Sequence, residues 1–104
     1  MTKSDKTDYL ATMEQELARN LLDCEAEFLT AGNFKPSTLA QKAAGDWRFF
    51  ERLRGDEPAT FSVRKYDMVM RWFIANWPEE AARPSALLKF EAQMAREEHA
   101  EAVE

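Results

Sequence analysis

The chain is poor in the residues that break, staple or metallate a fold. Its 104 residues include three glycines, four prolines, one cysteine and one histidine. A single thiol, Cys24, excludes an internal disulfide, which suits a reducing compartment. One Cys and one His, far apart at positions 24 and 99, do not assemble a metal site, and no cofactor is expected. The longest apolar run falls well short of the ~20 residues of a membrane span. The first residues, "MTKSDKTDYL", have no apolar segment of the secretory kind, so the expected location is cytoplasmic. No phosphate-cradling glycine loop and no nucleophile–base pair stands out, so an enzyme is not expected. β-branched residues are few and never alternate with polar ones, which excludes half-buried strands.

What is present is an ordinary apolar fraction, 45%, with 32% charged residues. That is enough for one small domain with a modest core. The charge is unevenly placed. Residues 1–32 carry three Lys/Arg against seven Asp/Glu, residues 33–75 eight against five, and residues 76–104 three against seven. The net charge of -5 argues against an anionic partner, but the local field governs a binding face, and the middle is basic.

The pattern predicts an all-α fold of four or five helices. Leu10, Met13, Leu17, Leu21, Cys24 and Phe28 recur at steps of three and four, one face of a long first helix. Its length is open between two helices and one that projects past the core. Pro36 and Ser37 start a second, short helix, with Leu39, Ala40 and Ala43 as its apolar face. Gly45 ends it, and Asp46 is placed to cap a third helix from Trp47 to about Arg54. Ser62 caps a fourth, in which Tyr66, Val69, Phe73 and Trp77 recur. Ser85 caps a fifth, with Leu87, Leu88, Phe90 and Met94. The polar "AREEHAEAVE" beyond it is expected to fray.

Two short helices joined by a turn cannot bury enough surface alone, so the long helices must hold them. A helix-turn-helix has that arrangement. On the third helix Phe49, Phe50 and Leu53 fall to one side and Trp47, Arg48, Glu51 and Arg52 to others, with Arg54 at the end. By residue type alone the arginines also read as a solvated charged face, and Trp47 as a core aromatic. The stretch "LAQKAAGDWRFFERLRGD" resembles the helix-turn-helix of the Cro and phage-repressor type, the XRE-like family. Leu39, Ala40 and Ala43 match its second helix, and Asp46 stands at its Ser/Thr cap. Phe50 and Leu53 match its buried recognition-helix pair, and Gly55 closes the helix. Pro36 replaces a frequent Gln, and Trp47 and Arg48 are bulkier than the usual small polar residues.

The resemblance implies a lambda-repressor-like domain over residues 1–78, with the motif at about 37–55. Residues 79–104 are then a connector and C-terminal helix. It implies a transcriptional regulator of double-stranded DNA that reads the major groove with helix 47–54, a repressor in preference to an activator. Base-edge roles fall to Trp47, Arg48, Glu51 and Arg52. Glu51 would orient a neighbouring arginine or accept from cytosine. Backbone contacts fall to Lys35, Ser37, Thr38, Arg54, Thr60, Ser62, Arg64 and Lys65. A two-half-site operator implies a homodimer, through Leu87, Leu88, Phe90 and Met94 or the overhang of the first helix. The acidic flanks allow a contact with RNA polymerase. The location implied is the bacterial cytoplasm, on the nucleoid when bound. No membrane and no small-molecule ligand is expected. The competing expectation is a helical protein-interaction module, an adaptor or anti-regulator, that has lost DNA binding.

Overall fold

Five helices follow in order: α1 (Asp5–Ala31), α2 (Pro36–Ala44), α3 (Phe49–Leu53), α4 (Val63–Asn76) and α5 (Ser85–Val103). The structure, a computed structural model, describes the backbone of residues 5–32, 34–55 and 61–103, and the side chains of 13–32, 34–55 and 61–97. Among the described residues there is no strand, and no helix is long and apolar enough to cross a membrane. The all-α expectation holds.

The first helix is one unbroken element of 27 residues, about 40 Å at the usual rise. Its apolar stripe is only partly used by the core. Leu21, Cys24 and Phe28 are buried, Leu17 is half-buried, and Met13 is 42% exposed. Leu10 lies outside the described side chains.

The start of α2 differs in one detail from expectation. Pro36 takes the first helical position and Lys35 is the extended residue before it. Ser37 therefore lies inside the helix and caps nothing. The proline ring already sets a helical φ and removes one orphan N–H, so the helix begins one residue early. At the other end Gly45 has φ 73° and gives its N–H to the Gln41 carbonyl at 2.9 Å. That left-handed conformation is cheap only without a Cβ.

Ser62 does cap α4, accepting from the Lys65 N–H at 3.0 Å. Ser85 does not cap α5. The Pro84 carbonyl takes the N–H groups of Leu87 and Leu88 at 3.0 and 3.1 Å, and Ser85 is the first helical residue. The helix is continuous to Val103. Alanine, glutamate and arginine, which dominate that stretch, are strong helix formers.

The core lies where α1, α2, α3 and α4 meet, with Leu87 of α5 added to it. Phe28 is its hub, with ring centroids of Phe34, Trp72, Phe73 and Trp77 at 5.3 to 5.7 Å. Phe50 joins this group through Phe73 at 6.2 Å and through Phe49 at 5.2 Å. Edge-on and tilted ring pairs of this kind add to the burial energy of each ring. Leu39, Ala40, Ala43 and Ala44 bury the inner face of α2, and the small side chains of the three alanines let α2 sit close to α4. Cys24 packs against Met70 with the sulfurs 4.0 Å apart, and burial pushes its thiol up to about 12. It is an inert packing residue.

One expectation about the last helix is corrected. Leu87 is fully buried and belongs to the core, so it is not free to face a second copy. The sequence pattern could not separate a helix face turned to the core from one turned outward. α5 packs on both α1 and α4, and its first turns are part of the same hydrophobic unit as the short helices.

Candidate nucleic-acid interface

The loop between α2 and α3 is built around Asp46. One carboxylate oxygen accepts the Arg48 N–H at 3.0 Å. The Asp46 carbonyl accepts the Phe49 N–H at 3.0 Å. Together these close a turn whose two central residues are Trp47 and Arg48. Arg48 has φ -103° and ψ 8°, the bridge conformation usual at the third residue of such a turn. Trp47 and Arg48 therefore precede the third helix. It begins at Phe49 and has only five residues, where the sequence pattern predicts a helix from Trp47 to Arg54. The acid at 46 satisfies the turn before it can cap a helix at 47.

This turn lifts Trp47 out of the protein. Trp47 is 58% exposed, and the Arg48 guanidinium carbon lies 5.6 Å from its ring centroid. Trp47 is thus an outward residue and not a core aromatic. It stands between two hollows. One, of about 420 Å³, is lined by Ser37, Thr38, Gln41 and Lys42 of α2 as well as by the indole. The other, of about 250 Å³, has Glu25, Glu51 and Arg54 among its walls. Ser37, Thr38, Gln41 and Lys42 are all exposed. Gln41 and Lys42 carry no role in the sequence reading. The signal for them was available: Ser37, Thr38, Gln41 and Lys42 fall at i, i+1, i+4 and i+5, opposite Leu39, Ala40 and Ala43.

The expected DNA-contacting cations divide sharply by their partners. Arg52 is hydrogen-bonded to the second carboxylate oxygen of Asp46. That bond and the Arg48 N–H hold the Asp46 carboxyl below its usual range. Arg54 reaches back to α1, where its guanidinium meets Glu25 at 2.6 Å. Glu25 is 4% exposed. Burial raises its carboxyl above the ordinary range, and Arg54 pulls the other way. Arg54 thus compensates a buried charge.

Lys65 also turns inward. Its ammonium donates to the Ala44 carbonyl at 2.7 Å and lies 5.9 Å from the Phe49 ring centroid. It closes the C-terminal end of α2, where free carbonyls favour a cation. Ser62 is spent on its own helix cap. Arg52, Arg54, Ser62 and Lys65 therefore all have partners within the chain, which their sequence spacing does not reveal.

The remaining expected contacts are open to solvent. Lys35, Ser37, Thr38 and Arg64 are exposed, and Lys35 and Arg64 make no ion pair among the described residues. Glu51 lies 3.8 Å from the Arg48 side chain, both more than half exposed. Thr60 lies outside the described residues. No protein-family model, characterised protein or solved structure matches this chain.

Proposed function

We propose that the chain binds double-stranded DNA sequence-specifically and regulates transcription from the bacterial cytoplasm, as a repressor in preference to an activator. The observation that carries this reading is the Trp47–Arg48 pair. A tryptophan more than half exposed leaves a large apolar ring in water, and a hydrogen-bonded turn holds it there beside an arginine. Trp47 and Arg48 are then the groups for base edges, with Glu51 orienting Arg48. Ser37, Thr38 and Lys42 lie on the same side and suit phosphates, with Lys35 at the head of α2 and Arg64 on the far flank. Arg52 joins them only by exchanging Asp46 for a base or a phosphate. Docking is by the turn and the outer face of α2, because a five-residue helix cannot span a groove.

One such face covers few base pairs, so the functional species is two copies on a two-half-site operator. Of the residues expected between copies, Leu88 is the one on α5 that stays more than half exposed. Contact with polymerase through the acidic flanks belongs to the same reading. A helical interaction module is the second reading, favoured by an apolar groove between α1 and α5 that is open among the described residues.

The test is selection from pooled random duplexes by the folded protein at low salt. Enrichment of one sequence is expected, and Arg48→Ala should relax its preference at one base pair per half-site. A good arginine–guanine pair is worth about 1–3 kcal/mol of discrimination. A folded protein that retains no duplex under these conditions overturns the reading and leaves the interaction module.

A further inference from the structure

The first helix carries more apolar stripe than the core consumes. From Leu21 onward the stripe is buried, while Leu17 is half-buried and Met13 is 42% exposed. α5 behaves in the same way. Leu87 is in the core, and Phe90 and Met94 are half-buried. The unused parts of the two stripes face one groove of about 550 Å³, closed at one side by the start of α4. Its aromatic lining is made by Tyr66 and Phe90, rings edge to face at 6.1 Å. The Tyr66 hydroxyl accepts from Asn20 at 3.2 Å, so its ring is anchored. Met13 and Met94 line the groove, and methionine adapts to the shape of an apolar ligand.

The charges around the groove are of mostly one sign. Among the described residues, Glu16 and Asp23 on α1 and Glu97 on α5 line it, against Lys89 alone. Asp67 also lines it but is held by Arg71 at 2.7 Å. We propose that this groove docks a basic amphipathic helix of another protein. Apolar residues at i, i+3 and i+4 of the guest would enter between α1 and α5 and cover the unused stripe. Its lysines or arginines would meet Glu16, Asp23 and Glu97. A second copy of this chain is disfavoured as the occupant, because the same face would bring carboxylates against carboxylates. This docking surface is separate from the Trp47 face and does not depend on DNA binding.

The experiment titrates the full isotope-labelled chain with a synthetic helical peptide of about 18 residues, leucine on one face and lysine on the other. A twin peptide has glutamate for every lysine. The lysine peptide is expected to bind, with amide shifts confined to the facing parts of α1, α4 and α5. The glutamate twin should bind at least about tenfold more weakly. Glu16→Lys with Asp23→Lys, both exposed, should reduce affinity for the lysine peptide by a similar factor without changing the melting curve. Met13→Ser should weaken it while leaving the charges intact. The proposal is overturned by no binding at millimolar peptide, by equal affinity for the twins, or by shifts scattered over acidic surface elsewhere. A dimer in sedimentation whose contacts map to the groove would also overturn it, in favour of a second copy.

Discussion

The guanidinium of Arg54 meets the carboxylate of Glu25 at 2.6 Å, across 29 positions of sequence, with the acid buried and the base half exposed. This pair ties the end of α3 to the C-terminal third of α1. It explains why an arginine beside the proposed DNA face is not one of its contacts.

Glu25→Gln tests the acid side of the pair. A carboxyl raised by burial contributes its full stability below the ordinary value near 4.5, and loses it as pH rises through the folded value. The wild type should therefore gain on the Gln variant as pH falls from neutral to about pH 4. Urea melts at several pH values measure this. A difference that stays constant with pH would show that the Glu25 carboxyl is not raised.

Arg54→Ala leaves that carboxylate buried without a cation. The cost should be about 1–3 kcal/mol at neutral pH, below the full figure for a buried pair because Arg54 is half exposed. The loss should shrink in acid, once Glu25 is neutral. Duplex preference should not change.

Lys65→Met keeps the aliphatic stem and removes the donor to Ala44. A loss of about 1–2 kcal/mol is expected from a charged hydrogen bond that is only partly buried. If the variant instead kept full stability and lost affinity for all duplexes equally, Lys65 would be a phosphate contact after all.

Phe50→Ala and Trp47→Ala should separate stability from binding. Phe50 is buried against Phe49 and Phe73, and its loss should cost about 3–5 kcal/mol through the cavity left behind. Trp47 is outside the core, and its removal should stay within about 0.5 kcal/mol while abolishing duplex selection. Thermal melts and selection on the same two variants decide the matter.

Salt provides a count of phosphate contacts. If Lys35, Lys42, Arg48 and Arg64 all approach phosphate or groove, log affinity should fall against log salt with a slope on the order of -3 to -4 for each bound copy. A slope near zero for the preferred duplex would remove the phosphate contacts from the proposal.

The helices themselves were legible in the chain. Periodicity marks the faces of α1 and α4, the Pro36 and Gly45 pair brackets α2, and Ser62 caps α4, because each of these signals acts within a few residues. The burial of Phe49, Phe50 and Leu39 follows from the same local pattern. Only the tertiary structure decided which cations are free. Arg54 and Lys65 find their partners 29 and 21 positions away, and no helical period encodes a contact between elements. The same holds for the apolar stripes. Leu87 and Met13 look alike in sequence, yet one is sealed in the core and the other stands in an open groove. That difference depends on which elements pack against each side chain, which is a property of tertiary structure.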